Sequence, residues 1–428
     1  MEIIKDIKIN NYKGLEEIQF PCGSVNILVG PNNTGKSSVL ESIWMAISSL
    51  DNFKDILDTK LTDIVIDNDN INNNRYLITQ GKQQSRIELL LYDNHKLILE
   101  LLYSSKEYPE GIADLFLNFV NRISKMDNLI YYPRRPLKGR IGPRTSYKSS
   151  EELYLLTRKL VELEQLYKKS DIKERIEERM ELENLLKNLS EKLDSDIEAY
   201  KNELIKSEKL FLVSKFDDQL TSLYISMDNY IGEIPISEKD IFSNYKIPLI
   251  INSSTINADA SELYKRLVNT KNLAEVLDIL KNRIPYFEDI REPERELYVL
   301  LENVEKPLPL SFMGDGFKAL LKLSFMAPMI RNGVVLFEEP EVSMHPGYLD
   351  ILAREIILNS IDSQFFISTH SLELLTRILE KADKSDKLDS VKIIRLRRLS
   401  EGYIEREILS GKEAKEEIES IETDLRGY

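Results

Sequence analysis

The chain opens on an alternation. Ile3-Ile4-Lys5-Asp6-Ile7-Lys8-Ile9 places apolar side chains at every second position, the pattern of a half-buried strand. Asn11-Tyr12-Lys13-Gly14 predicts a turn, and Ile18 and Phe20 begin a second strand. Val25-Asn26-Ile27-Leu28-Val29 is a short, almost unbroken apolar run, as in a buried strand. The period then changes: Val39, Leu40, Ile43, Trp44 and Ile47 recur at helical spacing, which predicts a helix over Lys36–Leu50. Arg86–Leu102, rich in Leu and Ile around Asp93-Asn94, predicts a hairpin, and Met126–Tyr132 a further strand. In the second half, Gly333–Phe337 and Gln364–Ser368 predict buried strands separated by a helix over Tyr348–Leu358. Val391–Leu396 predicts another strand, and a solvated terminal helix begins at Gly411. Strands interleaved with helices give an α/β fold.

One segment breaks this rhythm. Thr145 to Ile231 contains neither glycine nor proline. Within it Leu182, Leu186, Leu189, Leu193, Ile197, Tyr200 and Leu204 recur at steps of three and four, a helical seam of near-heptad spacing. Glu164–Lys168, Asp171–Arg175 and Glu183–Lys187 add i,i+4 pairs of the favourable polarity. Glu151–Lys209 therefore reads as a two-helix arm turning near Lys168–Asp171. Two amphipathic helices packed on the domain fit the same pattern.

The chemistry gathers where strand gives way to helix. Gly30-Pro31-Asn32-Asn33-Thr34-Gly35-Lys36-Ser37-Ser38 matches G-x-x-x-x-G-K-[ST], a loop whose backbone N–H groups wrap a triphosphate. A buried strand precedes it and a helix follows, so the anion meets the helix N-terminus. Lys36 is positioned for the β- and γ-phosphates of ATP, and the Ser37 hydroxyl for Mg²⁺. Val334-Val335-Leu336-Phe337-Glu338-Glu339-Pro340-Glu341 delivers acidic groups at the C-terminal edge of a second strand, where α/β sheets bind ligands. Glu338 is expected to hold the Mg²⁺ hydration shell and Glu339 to polarise the attacking water. Neighbouring strand residues face opposite ways, so the pair needs a bend, which Pro340 makes plausible.

Phe366-Ile367-Ser368-Thr369-His370-Ser371 places a histidine just past another buried strand, within reach of a γ-phosphate oxygen. The chain has three histidines, and of the other two His345 is expected to order a loop. Upstream, Leu310-Ser311-Phe312-Met313-Gly314-Asp315-Gly316-Phe317-Lys318 puts Gly314 and Gly316 at a helix start, where backbone N–H groups approach an anion.

Composition narrows the class. The 428 residues are 42% hydrophobic and 30% charged, the balance of a globular protein large enough for two or three domains. No apolar stretch approaches the roughly 20 residues of a membrane helix, and the N-terminus lacks a signal-peptide layout. Cys22 stands alone, which excludes a disulfide framework and a thiolate metal cluster. A cytoplasmic protein is expected. A net charge of −14 argues against coating nucleic acid through overall charge. A local exception is Arg134, Arg135, Lys138, Arg140, Arg144 and Lys148, a loop without an acidic residue that suits the phosphates of DNA or RNA. An acidic partner surface or the head's own nucleotide fits it as well.

Taken in order, these motifs resemble the ABC-type ATPase heads of the SMC, RecF and OLD group, and among them the AAA/ABC hybrids of anti-phage systems such as PARIS and Gabija. Ile9–Gly14, Gly30–Ser37 with Asn32, Leu310–Lys318, Glu338–Pro346 and Thr369-His370-Ser371 carry the resemblance. It implies an ABC-type P-loop NTPase head, a mixed sheet flanked by helices with an inserted arm: residues 1–150 the N-terminal lobe, 151–231 the arm, and 232–428 the C-terminal lobe. It also implies that two heads sandwich two ATP molecules, Met313–Gly316 of one facing the phosphate loop of the other in a homodimer or higher oligomer. Lys13 is expected to approach the nucleotide. Methionine 313 stands where such signatures place a phosphate-binding serine, and Glu338 where aspartate is usual. OLD-type relatives carry a Toprim nuclease after the ATPase. Residues 371–428 are too few for one, so an effector nuclease is expected in trans. The implied role is a defence ATPase; a RecF- or SMC-like DNA-maintenance head and a non-hydrolysing scaffold are the alternatives.

Overall fold

The all-apolar runs of the sequence meet in one sheet. The computed structural model describes residues 2–49, 76–103, 210–227, 230–235, 249–252, 260–293, 296–326, 328, 332–342, 344–399 and 403–421. The chain divides into two compact units, the first comprising Met1–Leu61, Arg86–Ile98 and Tyr245–Tyr428, the second Thr62–Ser85 and Leu99–Asn244.

In chain order the first unit begins with β1 (Ile4–Tyr12), β2 (Leu15–Pro21), β3 (Val25–Val29) and α1 (Lys36–Ser48). A hairpin follows, β4 (Gln84–Leu91) and β5 (Lys96–Tyr103), turning at Asn94 as expected, with the Leu91 amide donating to the His95 carbonyl at 2.8 Å. β1 pairs antiparallel with both β2 and β4. The predicted turn at Asn11–Gly14 is shorter than expected, because β1 runs on to pair Tyr12 with Leu15.

The second unit contributes an antiparallel meander: β6 (Leu210–Phe216), β7 (Gln219–Met227) and β8 (Tyr230–Pro235). β6, β7 and the first two residues of β8 fall inside the 151–231 span expected to be helical arm. Asp217 and Asp218 adopt φ of 48° and 62° and make a tight turn without glycine. The glycine-free stretch beyond the expected helices at Glu151–Lys209 thus contains a hairpin. The arm proper, Glu151–Lys209, and the strand expected at Met126–Tyr132 lie outside the described residues.

Returning to the first unit, the chain forms β9 (Leu249–Asn252), α2 (Ala260–Thr270), α3 (Leu273–Arg283), and a small sheet of β10 (Phe287–Arg291), β11 (Tyr298–Leu301) and β12 (Leu308–Pro309). Then come α4 (Asp315–Met326), β13 (Val334–Glu338), α5 (Pro346–Asn359), β14 (Gln364–Ser368), α6 (Leu372–Lys384), β15 (Val391–Arg398), β16 (Ile404–Ser410) and α7 (Gly411–Ile421). The central sheet has the order β16-β15-β3-β14-β13-β9, parallel except for β16. Alternation sorts its side chains: Val25, Ile27, Val29, Val335, Phe337, Phe365 and Ile367 join a core with residues of α2–α6. The intervening Leu28, Leu336 and Phe366 are equally buried, and α1 packs on β13 and β14. Burial on both faces is why these strands read as continuous apolar runs.

One polar residue in this core fastens the N-terminal strand to the sheet. Gln364, fully buried, accepts from the amides of Ile3 (3.1 Å) and Ile4 (2.7 Å) and donates to the carbonyls of Ile4 (2.7 Å) and Gly23 (2.8 Å). Its amide is fully satisfied, so burial carries no unpaired-group penalty.

Candidate nucleotide site

The loop between β3 and α1 holds its shape through its glycines. Gly30 has φ +144°, and a Cβ there would lie 2.2 Å from the Leu396 carbonyl oxygen. Gly35 has φ +88°, and a Cβ there would meet Leu15 Cδ2 at 2.4 Å. Neither position admits another residue without moving its surroundings. Asn33 also lies at positive φ, 61°, and Thr34, buried, donates from Oγ1 to the Pro31 carbonyl at 2.9 Å. Gly35 caps α1 without a side-chain hydrogen bond, and the first turn of α1 carries no acid. The first N–H groups of α1 therefore keep their positive end for an anion.

Lys36 is 5% exposed, its ammonium donating to the carbonyls of Gly30 (2.9 Å) and Pro31 (2.8 Å). Burial pushes this ammonium below the usual lysine value, and the Glu339 and Glu341 carboxylates pull it part of the way back. Ser37 is exposed, Ser38 half-buried, and Pro31, Asn32 and Asn33 form the outer rim of the loop.

The acidic strand end lies two strands away. Glu338 closes β13, half-buried, in register with Ser368 of β14. The bend after it is made by Glu339 itself, with φ 45°, ahead of Pro340; its amide donates to the Ser368 carbonyl at 2.9 Å. His370 Nε2 stands 3.3 Å from Glu339 Oε1, so the expected histidine and the expected base meet. Ser368 is also tied to the phosphate-loop strand, since β14 pairs Ser368 with Leu28 and the Thr369 amide donates to the Leu28 carbonyl at 3.1 Å.

Glu341 went unassigned in the sequence reading, and it organises this corner. Its Oε1 accepts from Thr369 Oγ1 (2.7 Å), the His370 amide (2.9 Å) and the Ser371 amide (3.2 Å). Its Oε2 and the Ser368 hydroxyl are buried without a hydrogen-bond partner among the described residues. The available signal was the third acid of Glu-Glu-Pro-Glu. Its function depends on a loop of another strand, which local spacing does not reveal.

The remaining expected residues fall elsewhere. Lys13, at φ 50°, forms an ion pair with Glu41 of α1, its ammonium 5.8 Å from the Tyr12 ring centroid. Leu310–Phe312 make a single 3-10 turn before α4. Met313 turns its side chain onto the core, leaving Gly314 and Asp315 exposed and Gly316 buried at the start of α4. Ser311 Oγ donates to Glu296 at 3.0 Å, and Asp315 pairs with Lys318 at 3.2 Å. His345 caps α5, its Nδ1 accepting from the Gly347 amide at 3.2 Å, the loop-ordering role expected of it. Arg134, Arg135, Arg140 and Arg144 lie outside the described residues.

A glycine-framed anion loop on a helix N-terminus, a buried lysine and an acid–histidine pair on adjoining parallel strands define a P-loop ATPase head. The chain belongs to the AAA ATPase domain family, whose model matches residues 1–375, and it is an ATPase that binds nucleotide. An uncharacterized protein of Methanocaldococcus jannaschii is 34% identical over 119 residues, 27% of this chain and 100% of that protein. The retron Vc95 probable ATPase of Vibrio cholerae serotype O1 biovar El Tor is 20% identical over 403 residues, 89% of this chain and 73% of that one. Among solved structures, the Smc head domain of Pyrococcus furiosus aligns with 99% of this chain and 100% of its own, at TM-score 0.44 and 15% identity. The SMC head domain of Thermotoga maritima aligns with 95% and 98%, at TM-score 0.42 and 11% identity. Among the described residues no helix is long and apolar enough to cross a membrane.

Proposed function

We propose that this ATPase is Mg²⁺-dependent and works as a nucleotide-gated switch in anti-phage defence, two heads closing on ATP to hold or release an effector protein. The observation that carries the hydrolytic part is the Glu339–His370 contact of 3.3 Å, set beside a lysine that feels the Glu339 charge. Ser37 Oγ would supply a hard oxygen donor of the kind Mg²⁺ takes, and the Glu338 carboxylate would hold its hydration shell. Among the described residues there is no cluster of three or more His, Cys, Asp or Glu suited to a metal. Mg²⁺ supplies charge neutralisation on the phosphate oxygens.

The protein's own groups do the rest. The α1 N-terminus and Lys36 hold the β- and γ-phosphates. Glu339 accepts the proton of the attacking water as the new P–O bond forms, and the bond to the β-bridging oxygen breaks to release ADP. His370 donates to a γ-phosphate oxygen, and its backbone is held by Glu341. Gly314 and Asp315 are the exposed part of the signature turn offered to a partner head, with Gly316 buried behind them. The likeness to a retron's probable ATPase supports the defence role, and an effector nuclease in trans is the partner this reading requires.

The test is Glu339→Gln. ATP binding is expected to persist while turnover falls about 10²- to 10⁴-fold, the range for loss of a general base. ATP-dependent dimers are expected to accumulate in light scattering. Undiminished turnover would remove Glu339 from the base role, and a monomer at saturating ATP would remove the closing of heads.

A further inference from the structure

The family match ends at residue 375, and the elements beyond it close the back of the phosphate loop. We infer that β15, β16 and α7 form a buttress that sets the shape of the loop, and that Arg395 is its positioning residue. β15 lies parallel to β3 with Arg395 in register with Val29, the residue immediately before Gly30. The next carbonyl, Leu396 O, fills the space a Gly30 side chain would need, at 2.2 Å from its ideal Cβ. On the adjoining strand, Ile404 Cδ1 comes within 3.3 Å of the corresponding point at Gly35. Both glycines of the loop therefore rest against the β15–β16 pair.

Arg395 fixes that pair. Its side chain is 4% exposed; Nη1 donates to Glu407 Oε2 at 2.8 Å and Nη2 to Glu417 Oε2 at 3.2 Å. Glu407 is its cross-strand partner on β16, and Glu417 lies on α7. Arg397 reaches the same Glu407 oxygen at 3.6 Å. One guanidinium thus joins three consecutive elements by charge-assisted bonds whose planar geometry sets direction as well as distance. A buried pair of this kind is weak evidence for net stability and better evidence for a specified arrangement. The arrangement specified here is the position of the Leu396 carbonyl under Gly30. A loop that binds through backbone N–H groups depends on such support for affinity. The acids and histidine belong to the ends of β13 and β14, which β3 separates from β15, so turnover of bound ATP should be spared.

This inference rests on the phosphate loop binding nucleotide. The full-length chain is titrated with a fluorescent ADP analogue and assayed for ATP turnover, with folding followed by circular dichroism. Arg395→Met is expected to weaken nucleotide binding about tenfold, equivalent to 1.4 kcal/mol. Its kcat at saturating ATP should stay within about twofold, the split that marks lost binding shared equally by the ground and transition states. Arg395→Lys should recover part of the affinity. Folded Arg395→Met with wild-type affinity would overturn the inference, as would a kcat loss equal to the affinity loss. If Arg395→Met does not fold, the Glu407→Gln/Glu417→Gln double variant decides: it keeps an acceptor oxygen at each position, 42% and 28% exposed, while removing the charges, and unchanged affinity there would overturn it. Failure of the wild-type chain to bind the analogue would instead sink the nucleotide-site reading.

Discussion

Replacing Glu341 by alanine removes one oxygen that three donors share, and the loss can be worked through donor by donor. The Ser371 amide keeps an acceptor, because Thr369 Oγ1 already lies 2.9 Å from it. The Thr369 hydroxyl is free to rotate to another acceptor or to water. The His370 amide is the group left without a partner. Hydrogen bonds to a charged acceptor contribute about 1.5–3 kcal/mol each, so the bonds of Thr369 and His370 together set an upper bound of about 3–6 kcal/mol, of which the rotated Thr369 hydroxyl recovers part. Two effects reduce this. The buried, unpartnered Oε2 disappears with the carboxylate, and the His370 side chain, 24% exposed, shows that water reaches the rim. A net destabilisation of about 2–3 kcal/mol follows.

The functional effect should be larger than the effect on stability. With its amide released, His370 no longer keeps its 3.3 Å station beside Glu339, and a displacement of about 1 Å in such a group costs on the order of 10²-fold in rate. The loss should appear in kcat and spare KM for ATP, because the phosphate loop is held independently by its glycines and by Lys36. Glu341→Gln keeps the acceptor and loses the charge, so it should fall between wild type and alanine in both turnover and melting temperature. The measurements are steady-state ATP hydrolysis and thermal unfolding of both variants. If Glu341→Ala melts and turns over like wild type, Glu341 does not hold the histidine loop.

Lys36→Met should abolish nucleotide-induced stabilisation yet raise the melting temperature of the nucleotide-free protein at neutral pH. Burial lowers the folded-state value of this lysine below the 10.5 of the unfolded chain, so the penalty of burying its ammonium is present below that window. Between the two values the unfolded chain binds more protons, so wild-type stability rises with pH and the advantage of the variant narrows toward pH 10.5. A variant advantage that grows with pH would contradict the assignment. Gly30→Ala should destabilise by about 2–4 kcal/mol, since the φ is unfavourable and the neighbouring atom is a backbone carbonyl that cannot rotate away. A urea midpoint equal to wild type would show that β15 gives way freely.

The parts of the site legible in the sequence were those whose chemistry is local. Val25–Val29 and Gln364–Ser368 form strands over the predicted residues, because strands buried on both faces leave an apolar run that no surface pattern imitates. The phosphate loop and the acidic strand end were legible for the same reason, each being a strand, a turn and its chemistry in fewer than a dozen residues. The role of Gln364 was not: the apolar run places it on a buried strand, but its four hydrogen-bonding partners come from the first 23 residues of the chain. The bend that turns Glu339 into the site was attributed to Pro340 but is taken by Glu339 itself, and a glutamate at positive φ has no composition signal. Likewise Asp217-Asp218 makes a hairpin turn in the glycine-free stretch beyond the expected helices.

Strand order was the feature least accessible to sequence and the most consequential for function. β3 carries the phosphate loop and β13 the acids, and β14 lies between them. Neighbouring strands are about 4.8 Å apart, so the loop and the acidic edge stand about 10 Å apart. On the proposed mechanism, a triphosphate seated on the loop at β3 would extend over the end of β14 to bring its terminal phosphate to Glu339. The residues at that end, Thr369, His370 and Ser371, are the ones bound to Glu341 of the acidic edge, and the Thr369 amide bonds the Leu28 carbonyl of the loop strand. The middle strand thus holds hydrogen bonds to both halves of the site, and on the proposed mechanism a change at the terminal phosphate would act first on the segment that joins them.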